Sequence, residues 1–228
     1  MQLTLSGIRY TYPSALEPIL NNVTISFAEG WTGLLGDNGC GKTTLAKIAC
    51  GLIAPDAGSV SPSPVCLYCA QETEDAPEAL YDFASDFGRE ARMLRDALGL
   101  EDDMAWRYDA LSFGERKKLQ VACALWQRPD VLVLDEPTNH IDHDARERIA
   151  ALLKGFRGIG ILISHDRELL DEVAVRCASF EPGGIVVRPG GYTAAHVQAE
   201  LERTSLVRER RAAKDELAKL AAEKAERS

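Results

Sequence analysis

Apolar and polar positions alternate along the first part of the chain. Leu3 to Ile8 alternates weakly and predicts a strand, and Val23 to Phe27 alternates more clearly. Trp31 to Leu35 is a short apolar run that ends in glycine. A Gly-rich polar stretch follows from Gly36 to Thr44, and helical spacing resumes over Leu45 to Leu52. The predicted order is strand, loop, helix. Pro55 to Pro64 is rich in turn residues, and Val65 to Ala70 predicts another short strand.

Residues 72 to 110 differ in character. Acids and alanines surround apolar residues spaced three to four apart (Leu80, Phe83, Phe87, Leu94, Leu98), which predicts a small helical insert. Gly114 to Gln127 is a strongly amphipathic helix stopped by Pro129, so the insert is expected to end at about 127. Val131 to Leu134 is wholly apolar and leads into Asp135 and Glu136, as a buried parallel strand would. Asp142 to Leu153 predicts a helix, Ile159 to Ile163 a second buried strand and Arg167 to Ala174 a short helix. Cys177 to Phe180 and Ile185 to Val187 predict the last strands. Strands alternating with helices argue an α/β fold around a parallel sheet.

After Gly190 and Gly191 the chain changes again. From Glu200 to Ser228 it holds eight Lys/Arg and seven Asp/Glu, with no Gly, Pro or aromatic residue. Leu206, Ala213, Leu217 and Leu220 lie near one face. This pattern predicts a long charged helix, coiled-coil-like, with too thin a seam to stand without a partner helix. The expected organisation is a cassette over 1–190 and a charged helical arm over 191–228.

Composition narrows the class. The 228 residues are 46% hydrophobic and 27% charged, close to the globular average, and such a chain can bury a core without staples. No apolar run approaches the ~18–20 residues of a membrane helix. Met1 to Thr11 lacks the basic start and apolar stretch of a signal peptide, so a cytoplasmic protein is expected. The formal charge of −9 argues against a globally basic nucleic-acid binder. Of the six cysteines only Cys66 and Cys69 are close, without the second pair of a zinc ribbon. All six are expected to be reduced and mostly buried.

The chemistry begins in the Gly-rich loop. Gly36-Asp-Asn-Gly-Cys-Gly-Lys-Thr43 has two glycines separated by four residues, then Lys and Thr, between a predicted strand and helix. Glycines let successive backbone N–H groups turn onto a phosphate, and the helix adds its positive N-terminus. Lys42 is expected at the β- and γ-phosphates and the Thr43 hydroxyl at Mg²⁺. Asp135 ends an apolar strand, where a second Mg²⁺-directed carboxylate should lie. Glu136 points elsewhere along the pleat and could polarise an attacking water. His140 and His143 have near-metal spacing but no evident third ligand, so no metal site is expected there, and His196 is expected to be solvated.

These motifs resemble those of the ATP-binding-cassette (ABC) ATPases. Leu111-Ser-Phe-Gly-Glu115 is similar to that family's signature, and it precedes Val131-Leu-Val-Leu-Asp-Glu136 as in the family. Gln71 sits where the family places its Q-loop glutamine, His165 its switch histidine, and Asn139-His-Ile-Asp142 its D-loop. The resemblance covers residues 1 to about 190. It implies an ABC-type P-loop ATPase core with an antiparallel β subdomain, a small helical insert and a C-terminal charged helix. Glu136-Pro-Thr-Asn-His-Ile-Asp142 and Ser164-His-Asp-Arg167 resemble the ABC-F branch, soluble proteins with two cassettes on one chain whose known members mostly act on the ribosome. The arm would then be the start of the linker between cassettes.

The resemblance implies roles residue by residue. Gly36, Asn38, Gly39, Gly41, Lys42, Thr43 and Thr44 would bind ATP, with Thr43, Gln71 and Asp135 at Mg²⁺. Glu136 would be the general base, with Gln71 and His165 at the water and γ-phosphate. Tyr12 is the expected adenine-stacking residue and Tyr10 the alternative, each equally readable as a strand-face core residue. Ser112, Gly114 and Glu115 would close over the ATP of a second cassette, in the same chain or a homodimer. Phe113 departs from the family's usual glycine, so closure is weakened or tuned to one partner. The ribosome, a transporter's membrane subunit and a non-catalytic module define the competing functions. Arg208, Arg210, Arg211 and Lys214 offer a basic stretch toward a ribosome, or simply a solvated helix face.

Overall fold

The computed structural model describes residues 1–226, with side chains through Arg210. Two sheets organise it. The smaller is antiparallel, built from β1 (Gln2–Tyr10), β2 (Leu20–Ala28) and β4 (Ala57–Ser61) in the order β2-β1-β4. The larger has six strands: β3 (Gly30–Leu35), β5 (Cys66–Cys69), β6 (Val131–Asp135), β7 (Ile159–Ile163), β8 (Ala174–Glu181) and β9 (Gly184–Pro189). Their order is β5-β6-β7-β3-β8-β9, parallel except for the antiparallel β9.

Every residue of β6 and β7 is buried, which is why both read as unbroken apolar runs. The pleat sorts their side chains. Val131 and Val133 join a core with β1, β2 and the inner face of α1 (Lys42–Ala49). Leu132 and Leu134 face the other way, into a core shared with α4 (Phe113–Trp126) and α5 (His143–Lys154). α6 (Arg167–Val173) packs on this second side.

Residues 80–110 supply α2 (Leu80–Ser85), α3 (Arg89–Leu98) and a 3-10 segment (Met104–Ala110). Leu80, Phe83, Leu94 and Leu98 are buried as their spacing predicts. Phe87 is not. It lies in the turn after α2, 65% exposed, with the Arg95 guanidinium 5.8 Å from its ring.

α7 (Tyr192–Glu226) leaves the cassette directly after β9. Its start is tied down. Thr193 N donates to Asp171 Oδ1 at 2.7 Å, and the buried Arg188 of β9 binds Glu202 through two N–H groups. Beyond that anchor Leu206 is exposed. Ala213, Leu217 and Leu220, like Arg211 and Lys214, lie outside the residues whose side chains are described.

Two expectations need correction. Residues 57–61 form a strand where turns are predicted, since β4 is an edge paired only with β1 and its side chains are mostly exposed. Cys50 and Cys66 are not free thiols but form a disulfide, with Cα atoms 5.1 Å apart. The end of α1 lies over the start of β5, and a separation of 16 residues gives no sign of that contact. The other four cysteines are free, and burial pushes Cys69 and Cys123 up to about 12.

Candidate nucleotide site

The chemistry-bearing residues converge at the C-terminal edge of the parallel strands. A cleft of about 610 Å³ is lined there by Tyr12, Asn38, Gly39, Gly41, Lys42, Thr43, Thr44, Gln71, Asp135, Glu136 and His165. Residues far apart in sequence meet because β3, β6 and β7 are neighbours running the same way, so the loops that follow them leave on one side. A larger cavity of about 700 Å³ opens at the opposite strand ends, among Leu94, Leu125 and Phe156. It gathers none of the residues to which the sequence analysis gives a chemical role.

The loop after β3 is shaped for an anion. Gly41 caps α1 at φ 105, and a Cβ there would come within 2.8 Å of Leu20 Cδ2. No side chain caps α1, so the first N–H groups of the helix are left for a ligand. The Lys42 ammonium donates to the Gly36 carbonyl at 2.8 Å and to the Asp37 carbonyl at 2.9 Å. Gly36 itself does not line the cleft; it underlies the lysine.

Asp135 is 4% exposed, and both of its donors are neutral. Thr43 Oγ1 donates to its Oδ2 at 2.9 Å and the Tyr68 hydroxyl donates to the same atom at 2.8 Å. A buried carboxylate gathered with hydroxyls suits a hard, oxygen-loving cation. Among the described residues no group of three or more His, Cys, Asp or Glu stands together. Asp135 and Thr43 supply one carboxylate and one hydroxyl, and Mg²⁺ is a cation bound by one or two carboxylates together with substrate phosphates.

Glu136 takes the left-handed conformation, φ 51, so the chain breaks from the strand at the residue after Asp135. Its side chain is 13% exposed, and burial raises its carboxyl above the ordinary range. The His165 backbone N–H donates to Oε2 at 3.3 Å, and His165 Nε2 lies 3.6 Å from Oε1. The Tyr12 hydroxyl shares a 2.8 Å hydrogen bond with Thr44 Oγ1, and its ring meets Tyr10 edge-on at 5.1 Å. Tyr12 reaches the cleft and is 38% exposed, whereas Tyr10 packs against the core.

Ser112, Gly114 and Glu115 do not line this cleft. They form the start of α4, where a capping box closes on itself. Ser112 Oγ donates to Glu115 Oε2 at 2.7 Å, and Ser112 N donates to the same atom at 2.8 Å. Phe113 stacks edge-on against His140 at 5.1 Å. His143 pairs with Glu147 on one helix face, 3.3 Å apart.

Two residues at the site escape sequence reasoning. Tyr68 looks like strand packing and instead holds Asp135; burial and that carboxylate push its hydroxyl well above the usual range. Lys117 looks like a solvated lysine of α4 and is 1% exposed. It lies four and seven residues before Val121 and Ala124 on the buried stripe, a spacing that was there to be read.

Known proteins resemble this chain in sequence and in fold. The family model described as ABC transporter matches residues 20–139. A Nitratidesulfovibrio vulgaris protein named as an ABC transporter ATP-binding protein is 35% identical over 206 residues, 78% of this chain and 74% of its own. ATP-binding protein Uup of Caulobacter vibrioides is 38% identical over 63% of this chain, which spans 24% of Uup. Ribosome protection protein VmlR of Bacillus subtilis is 31% identical over 91% of this chain, which spans 36% of VmlR. The chain thus spans only a quarter to about a third of these last two relatives. A solved dimeric ATP-binding cassette, bound to ADP and Pi after hydrolysis, shares the fold at a TM-score of 0.70 and 20% identity, over 82% of this chain and 98% of its own. With one family model matching more than half of its length, and 35% identity to a relative it spans by three quarters, the chain belongs to the ATP-binding-cassette family of ABC transporter ATPases.

Proposed function

We propose that this chain is the ATP-hydrolysing first cassette of a cytoplasmic ABC-F protein that acts on the ribosome, with α7 as the start of the linker to a second cassette. The observation that carries this reading is the likeness to the ribosome protection protein VmlR. It extends over 91% of the chain, too far to stop before α7 begins at Tyr192. Among the described residues no helix is long and apolar enough to cross a membrane.

In this reading the α1 amides and Lys42 hold the phosphates, and Tyr12 stacks on adenine. Thr43, Asp135 and Gln71 would hold Mg²⁺, which would supply positive charge to offset that of the phosphates. Glu136 takes a proton from the attacking water, and its burial strengthens it as a base at neutral pH. Gln71 and His165 orient the water and the γ-phosphate. Ser112 and the amides at the start of α4 complete the site of the second cassette, so hydrolysis requires two cassettes to close.

The partner is tested by sedimenting the Glu136→Gln chain with purified ribosomes, with and without Mg-ATP. ATP-dependent cosedimentation is expected. An ATP-dependent dimer that stays in the supernatant while the ribosomes pellet would count against the ribosomal role.

Tyr12 gives a second test. Stacking on an aromatic ring contributes about 1–3 kcal/mol per base, so Tyr12→Ala is expected to weaken ATP binding roughly tenfold. Binding of tripolyphosphate, which has no base, should stay within twofold by calorimetric titration. Equal losses for both ligands would place Tyr12 with the phosphates instead.

A further inference from the structure

Lys117 is an unusual lysine. It sits in the second turn of α4 and is almost wholly buried. Its ammonium donates to the Ala70 carbonyl at 2.8 Å, the Gln71 carbonyl at 2.9 Å and Gln120 Oε1 at 3.0 Å. An ammonium has three protons to donate, and these three acceptors use them all. All three are neutral oxygens.

A buried charge held only by neutral groups is costly, and an apolar side chain on the same stripe as Val121 and Ala124 would pack without that cost. What an apolar residue could not do is grip two successive carbonyls. Those carbonyls belong to the segment that leaves β5 and carries Gln71 into the cleft. The same ammonium lies 5.7 Å from the Phe113 ring, which meets His140 beside the cleft residue Asn139. The start of α4 therefore touches two of the loops that bring an amide side chain to the cleft, those of Gln71 and Asn139.

We propose that Lys117 is a positioning residue: it pins the main chain at Ala70 and Gln71 to α4, so that the Gln71 side chain is presented to the reacting phosphate and its water. The inference rests on the role given to Gln71 above.

The test is a double-mutant cycle on the full chain, reading kcat and ATP affinity for Gln71→Ala, Lys117→Met and the pair together. Methionine fills much of the space of the lysine stem, one atom shorter, and removes its three donors. Lys117→Met is expected to lower kcat about ten- to a hundredfold, since small misplacements near a reacting centre cost that much. ATP affinity should stay within about twofold, and the pair should be no slower than Gln71→Ala alone, because both act through one contact. Hydrogen exchange in residues 69–75 should quicken in Lys117→Met while that of residues 36–44 does not. If Lys117→Met does not fold, Lys117→Gln, too short to span both carbonyls, carries the same cycle.

Additive losses in the pair would overturn the inference. So would unchanged turnover in Lys117→Met, or a loss of ATP affinity as large as the loss of kcat. Unchanged turnover in Gln71→Ala would remove the Gln71 assignment first, and the inference with it.

Discussion

Glu136→Gln is expected to bind ATP with near-normal affinity and to lose about 100- to 10,000-fold in turnover, the range a general base contributes. Glutamine has the same shape and keeps an oxygen to accept the His165 N–H, so the hydrogen bond at 3.3 Å can persist. What it lacks is the ability to take a proton. The environment gives the carboxylate that ability in good measure: burial raises its affinity for a proton, while the His165 N–H and the nearby Lys42 keep it from rising further. Steady-state phosphate release and a direct ATP titration separate the two effects. Near-normal turnover in the variant would remove Glu136 from the base role.

Lys42→Ala is expected to weaken ATP binding about 100-fold. Two charge-assisted hydrogen bonds at ~1.5 kcal/mol each correspond to that factor. The ammonium donates to the carbonyls of Gly36 and Asp37, which hold it over the loop. The alanine variant loses that placement as well as the charge. The α1 amides remain, because Gly41 rather than Lys42 shapes the turn that exposes them. Residual binding is therefore expected, and unchanged affinity in a titration would contradict the phosphate-loop assignment.

Much of the fold is legible in the sequence because its strands are extreme cases. β6 and β7 are buried on both faces and can be nothing but apolar, and the phosphate loop needs glycines where the chain turns left-handed. β4 is illegible for the opposite reason: an edge strand with mostly exposed side chains need not alternate. The cleft-lining residues are readable as motifs, but their supports are not. Tyr68 and Lys117 act through a hydroxyl and an ammonium placed by distant parts of the chain. No spacing within one element announces a hydrogen bond to another, although the helical stripe on α4 does announce that Lys117 is buried. The disulfide between Cys50 and Cys66 is hidden in the same way.

The anchoring of α7 sets a mechanical ratio. The helix has 35 residues, and at 1.5 Å per residue it reaches ~50 Å. It is gripped near its start, by Asp171 at Thr193 and by Arg188 at Glu202. A tilt of the cassette by one tenth of a radian would therefore carry the far end of a straight helix ~5 Å, about one helical turn. Motion too small to reshape a nucleotide cleft becomes, at that radius, a displacement large enough to change which residues touch at the far end.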